Sequence, residues 1–247
     1  MMNQTTVNKL HDMRLSAMAS AYREQMENAD LAALSFDERF GMMVDFEWSR
    51  RKSNHLSRLI RRAQMHFPGA AIEDVEYHAD RKLDKSEILR LAACNYIAEK
   101  HNIILLGASG AGKTWIACAF GIAACRNYYT TKYVRLPDLL NELAVARGEG
   151  TFLKTMKTYK KVSLLILDEW MLLPLSDTQS RDVLEIVEAR HQTGSTIFCS
   201  QFSTEGWHSK IGEITLADAI LDRIVHDSYT IFIDGDDSMR RRKGINK

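Results

Sequence analysis

Breakers are scarce: three prolines and thirteen glycines serve 247 residues. That scarcity favours long helices over an all-β design built on tight turns. No apolar run reaches the roughly 18–20 residues of a membrane-spanning helix, because Lys113 interrupts the longest candidate. The first residues hold neither an apolar signal core nor a small-residue cleavage site, so a cytoplasmic, non-secreted protein is expected. Cys94, Cys118, Cys125 and Cys199 lack C-x-x-C spacing and lie in apolar stretches, which predicts buried reduced thiols rather than disulfides or a metal site. The eight histidines form no H-x-x-x-H pair, and zinc spacing and a helix-turn-helix signature are missing too. Base-specific reading of nucleic acid is therefore not predicted. Excess charge is absent as well, with 33 Lys+Arg against 32 Asp+Glu.

A hydrophobic content of 45% with 26% charged residues is that of a folded globular chain, long enough for one or two domains. Residues 1–66 read as a helical domain. Leu15, Met18, Tyr22 and Met26 recur at helical spacing, and Ser35-x-x-Glu38 forms a capping box before Phe36, Phe40 and Met43. Phe67-Pro68-Gly69 is expected to end the second helical run and open a linker over 67–82. Residues 83–247 then alternate helices with short apolar strands at Asn102–Leu106, Thr131–Leu136, Ser163–Leu167, Ser195–Ser200 and Tyr229–Ile233. Pro137-Asp138 suits a helix start after the second strand, and Ser176-x-x-Gln179 caps another helix. This alternation predicts an α/β domain with a parallel sheet covered on both faces.

Gly107-Ala108-Ser109-Gly110-Ala111-Gly112-Lys113-Thr114 matches the phosphate-loop pattern G-x-x-x-x-G-K-T, with an apolar strand before it and a helix after it. Glycines let backbone N–H groups converge on phosphate oxygens, and the positive end of the following helix points at them. In that reading Lys113 reaches the β- and γ-phosphates of ATP and the Thr114 hydroxyl ligates Mg²⁺. Leu164-Leu-Ile-Leu167-Asp168-Glu169 places two carboxylates at the C-terminal edge of a buried strand, where open α/β sheets bind ligands. Asp168 suits Mg²⁺, and Glu169 suits orienting the attacking water. A water-activating acid beside a metal ligand favours an ATPase over a small-molecule kinase, which needs an acceptor pocket; a nucleotide-binding module or kinase without DNA stays open on the residues alone.

Charge that cancels over the whole chain does not cancel locally. Between Trp48 and Ile72 there are six basic residues, Arg50, Arg51, Lys52, Arg58, Arg61 and Arg62, and no acid. The spacing of Arg51, Arg58 and Arg62 puts them on one helix face, a surface for salt-dependent, largely sequence-independent contact with duplex DNA. Trp170 and Trp207 are expected to pack rather than stack on bases.

Leu164-Leu-Ile-Leu-Asp-Glu-Trp170, Ser200-Gln-Phe, Gly206-Trp207-His208, Leu216-Ala-Asp-Ala-Ile-Leu-Asp-Arg223 and Asp237-Ser-Met-Arg240-Arg closely resemble the IstB-like AAA+ ATPases. These are helper proteins of bacterial insertion sequences, encoded beside a DDE-type transposase. The resemblance extends to Arg14-Leu-Ser-Ala-Met-Ala and Leu34-Ser-Phe-Asp-Glu-Arg39, so it covers nearly the whole chain. It implies a five-stranded sheet of order 5-1-4-3-2, no C-terminal helical lid, and a homo-oligomer that uses ATP and Mg²⁺ to assemble on DNA, deform it and recruit the transposase. It implies that Ser200 senses the γ-phosphate, that Arg223 is an arginine finger offered to a neighbouring subunit, and that Arg240, with Arg241 beside it, is a second sensor. The family usually has Leu-Pro at Phe202-Ser203 and commonly Gly at Met171. The DnaC-type helicase loaders share the engine and are the alternative reading.

Overall fold

Three helices open the chain, α1 (Met2–Asp12), α2 (Ser16–Glu27) and α3 (Phe36–Ala63), in a computed structural model that describes residues 2–235 and 238–242. The expected capping box starts α3: the Glu38 amide donates to Ser35 Oγ at 3.3 Å, and the Ser35 amide donates back to Glu38 Oε2 at 2.8 Å. The chain divides into two compact units, Met1–Arg58 and Leu59–Lys247, so the division falls inside α3 rather than at 66/67.

Within the first unit, α2 lacks a cap of its own, because Leu15 occupies the cap position without a polar side chain. Glu47 of α3 supplies the missing acceptor, its Oε2 taking the Ala17 and Met18 amides at 3.0 Å each. Its Oε1 takes Arg51 Nε at 2.6 Å, and Arg51 also donates to the Arg14 carbonyl at 2.9 Å. Burial pushes the Glu47 carboxyl up, but the bonds from Arg51, Met18 and Ala17 outweigh it and hold the carboxyl below its ordinary value. A lowered carboxylate stabilises the fold above its unfolded pKa, and that contribution disappears as pH falls through the native value. Glu47→Ala is expected to destabilise the helical unit by about 1–3 kcal/mol, seen as a lower urea midpoint, since two helix-start amides lose their acceptor. An acid titration followed by circular dichroism should show the wild-type advantage vanish at low pH.

The second unit follows with α4 (Lys85–Ala92), α5 (Asn95–Glu99), β1 (Asn102–Leu106), α6 (Lys113–Arg126), β2 (Thr131–Arg135), α7 (Leu136–Gly148), α8 (Phe152–Lys161), β3 (Leu164–Asp168), α9 (Asp177–Arg190), β4 (Ser195–Ser200), α10 (Thr204–His208), α11 (Ile214–Val225), β5 (Ser228–Phe232) and α12 (Met239–Arg242). The sheet is parallel throughout and ordered β2-β3-β4-β1-β5, the order the resemblance implies. Helices cover both faces, so β1, β3 and β4 are buried along their whole length. The predicted strands are found within one residue; α8, an amphipathic helix between Gly150 and Ser163, has no counterpart in the sequence reading.

The stretch 64–82 differs most from expectation. Gln64, at φ +54°, ends α3 three residues before Phe67-Pro68. Ala70, Ile72, Val75 and Arg81 are buried, and single helical turns form at Ile72–Asp74 and Ala79–Arg81. Residues expected to link two domains are thus packed into the second unit. All four cysteines are buried thiols, with Cys94 and Cys118 pushed by burial up to about 11. Among the described residues no helix is long and apolar enough to cross a membrane.

Candidate active site

The C-terminal ends of β1, β3 and β4 open onto one cavity of about 330 Å³. At the end of β1 the chain passes so close to its neighbour that a Cβ on Gly107 would lie 2.3 Å from the Ile233 carbonyl oxygen, which excludes any larger residue. The loop ends at Gly112, whose φ of +97° lets the backbone turn directly into α6. Lys113 and Thr114 then fall in the first helical turn, where free N–H groups and the helix dipole favour an anion. Lys113 is buried, and its Nζ donates to the carbonyls of Gly107 and Ala108 at 2.7 and 2.8 Å.

Asp168, 5% exposed, is the last residue of β3. Its Oδ2 accepts from Thr114 Oγ1 at 2.7 Å and from the Tyr133 hydroxyl at 2.8 Å, and its Oδ1 accepts the Glu169 amide at 2.9 Å. Thr114 gives its single proton to Asp168, which leaves hydroxyl lone pairs for a cation. A hydroxyl and a carboxylate in direct contact are hard oxygen donors of the kind Mg²⁺ takes, so the residues fit that ion.

Glu169 follows in the left-handed region, at φ +53°, and Met171 repeats it at φ +53°. Backbone of this kind is one that glycine adopts without strain. The turn aims Glu169 toward β2, where its Oε1 lies 3.5 Å from an Arg135 guanidinium nitrogen. Arg135 is in turn fixed by a fork to Asp138, with contacts of 2.7 and 2.8 Å. Hydrogen bonding to Asp138 and attraction from Glu169 hold Arg135 more firmly protonated than usual.

Ser200 does not face the cavity. Its hydroxyl is buried, donates to the Trp170 carbonyl at 2.9 Å, and accepts the Phe202 amide at 3.1 Å and Trp207 Nε1 at 2.8 Å. Those bonds use its hydrogen-bonding capacity, so the strand-end group lining the cavity is Gln201. Trp170 and Trp207 are buried against each other and Phe198, as packing residues. Ser200→Ala is accordingly expected to lower stability by about 1–2 kcal/mol while leaving ATP affinity near wild type. Gln201→Ala should do the reverse, slowing turnover in a protein of unchanged melting temperature.

Arg223 points elsewhere within its own chain, donating to the Ala219 carbonyl at 2.9 Å and to Glu188 at 3.3 Å. Arg240 falls in α12, but its side chain lies outside the described residues, as does Asp237. Arg50, Lys52, Arg58, Arg61 and Arg62 are exposed on α3, with the Lys52 ammonium 4.7 Å from the Trp48 ring centre. Arg51 is exposed too, with its guanidinium paired to Glu47.

The sequence reading overlooked several groups at the cavity: His66, Phe67, Asp74, Glu76, Arg81 and Met239. Arg81 is buried and donates to the carbonyls of Glu76 at 2.6 Å and Ala111 at 2.9 Å, which ties the 76–81 segment to the phosphate loop. Burial lowers its pKa. The Met239 amide closes the other side of the loop on the Gly110 carbonyl at 2.9 Å, and Arg242 pairs with Asp80. Phe67-Pro68-Gly69 made a linker the plainer reading of 67–82.

Residues 8–246 match the family described as IstB-like ATP binding protein. An insertion sequence ATP-binding protein of Sinorhizobium fredii is 40% identical over 243 residues, 98% of each chain. The ATP-binding protein of insertion sequence IS1162 from Pseudomonas fluorescens is 41% identical over 201 residues, 81% of this chain and 87% of that one. Among solved structures, DnaI superposes with a TM-score of 0.59 at 22% identity, over 72% of this chain and 93% of its own. The DnaC helicase loader gives 0.56 at 21%, over 67% and 97%. AMPPCP-bound DnaA from Aquifex aeolicus gives 0.58 at 18%, over 70% and 52%. At these identities the likeness is one of fold, that of the AAA+ P-loop proteins.

Proposed function

The chain belongs to the family of IstB-like ATP binding proteins, and from that premise we propose that it is an ATPase serving transposition in the bacterial cytoplasm. It oligomerises on duplex DNA without strong sequence preference, deforms the DNA, and recruits or activates the DDE-type transposase of its element. Hydrolysis then drives disassembly or hand-over. The observation that carries this reading is the convergence of Lys113, Thr114, Asp168 and Glu169 on one cavity at the strand ends.

Lys113 and the amides at the start of α6 bind the phosphates. Thr114 and Asp168 would hold Mg²⁺, whose positive charge would offset the negative charge that develops on the phosphates. Glu169 orients the attacking water and takes its proton, and Arg135 sets the position from which that carboxylate acts. Gln201 replaces Ser200 as the group that feels the γ-phosphate. Arg223 completes the site of a neighbouring subunit, and Arg240 supports the nucleotide from its own chain, both on the strength of the family resemblance. Arg50, Lys52, Arg58, Arg61 and Arg62 meet DNA phosphates.

Co-sedimentation with random-sequence duplex DNA tests the assembly: binding should require ATP and weaken steeply with salt, and binding indifferent to both would refute it. Mixing Arg223→Ala subunits with Glu169→Gln subunits tests the finger, since each supplies what the other lacks and turnover should reappear at mixed interfaces. No recovery would place Arg223 outside the neighbour's site. Capture of the transposase supports this reading, whereas capture of a replicative helicase instead would support the helicase-loader alternative that the DnaC-like fold keeps in view.

A further inference from the structure

Several donors converge on the Asp168 carboxylate, and the Tyr133 hydroxyl among them belongs neither to the phosphate loop nor to the acidic pair. Tyr133 stands in β2 with its Cα in register with Ile166, two residues short of the Arg135–Asp168 pair. Its ring leans forward along the sheet and delivers the hydroxyl to Oδ2, the oxygen that Thr114 also reaches. Tyr133 is 8% exposed, and a His66 ring that lines the cavity lies 6.1 Å from its own, ring centre to ring centre.

A buried hydroxyl is costly unless it is bonded, and a phenylalanine ring fills nearly the same space without that cost. The packing of β2 therefore needs the ring, while the bond to Asp168 needs the oxygen. The phenol is the donor in this contact, since a carboxylate oxygen only accepts. Without it, Oδ2 keeps Thr114, on the first turn of α6, and Oδ1 keeps the Glu169 amide, on a turn with left-handed backbone, while the Cys199 thiol is a weaker neighbour of the carboxylate. Tyr133 is the hydroxyl donor anchored in a strand.

We propose that Tyr133 is a positioning residue for the divalent cation, its hydroxyl fixing the Asp168 carboxylate in the orientation that, together with Thr114, receives Mg²⁺. The proposal rests on the reading that Thr114 and Asp168 hold the metal, and its test separates the two. Full-length Tyr133→Phe is titrated with Mg²⁺ while binding of a fluorescent ATP analogue is followed, with a parallel titration in EDTA. The Mg²⁺ concentration at half-saturation is expected to rise about tenfold, in line with the effect of removing other groups that orient metal ligands. Affinity in EDTA should stay at the wild-type value, which also verifies that the variant is folded. A half-saturation point that does not move, or an equal loss with and without Mg²⁺, overturns the assignment. Asp168→Asn is the control: if it removes the Mg²⁺ dependence and Tyr133→Phe leaves it intact, the Tyr133 assignment alone fails. If Asp168→Asn also leaves the dependence intact, the metal reading fails and Tyr133 falls with it.

Discussion

Lys113→Ala is expected to weaken ATP binding at least about 100-fold, because two charge-assisted bonds of about 1.5–3 kcal/mol each are lost. The ammonium is buried in the loop, held by the carbonyls of Gly107 and Ala108 beside the path the phosphates would take. Its stem packs among loop atoms, so alanine removes volume as well as charge. Lys113→Met keeps most of that volume and isolates the charge. Both variants should melt near the wild-type temperature, and neither should bind a fluorescent ATP analogue at concentrations that saturate the wild type. If Lys113→Met still binds within a factor of about three, the ammonium is not a phosphate ligand.

Glu169→Gln should leave ATP binding intact and slow turnover by about 100- to 10,000-fold, the range for removing a positioned general base. Glutamine has the same shape, so the left-handed turn survives, while the proton acceptor and the charge facing Arg135 are lost. On the proposed cycle this variant also stays on DNA, because assembly needs bound ATP and release needs its hydrolysis. Phosphate release and DNA retention, measured on the same preparation, check both halves. Turnover at the wild-type rate would remove Glu169 from the chemistry and leave Asp168 as an isolated metal ligand.

Legibility in the sequence followed the range of the interaction. The phosphate loop was plain because its glycines answer local backbone demands at Gly107 and Gly112. Both capping boxes were plain because donor and acceptor sit three residues apart, at Ser35–Glu38 and Ser176–Gln179. The strands β1 and β4 begin and end where the apolar runs do. What stayed hidden depends on partners distant in the chain. Arg51 reads as one more basic residue until Glu47 is seen bound to it and to the amides of α2, about thirty positions away. Ser200 reads as a polar strand end until Trp170 and Trp207 are seen to take its hydroxyl. Arg81 reads as linker until its guanidinium is found under the Ala111 carbonyl. Tyr133 carries no motif at all, since its role exists only across the β2–β3 register.

The turn that bears Glu169 also bears an indole. Trp170 lies edge-on to Phe198, with ring centres 4.6 Å apart, and its ring centre is 5.9 Å from that of Trp207 at an interplanar angle of 78°. Two indoles so close and so steeply inclined share their excited states, which gives near-ultraviolet circular dichroism a signal set by their mutual angle. Trp115, at the cavity, is placed to be quenched by a bound base, whereas exposed Trp48 should emit further to the red. Local rearrangement at the Glu169 turn and arrival of nucleotide would thus have separate optical signatures in the unlabelled chain.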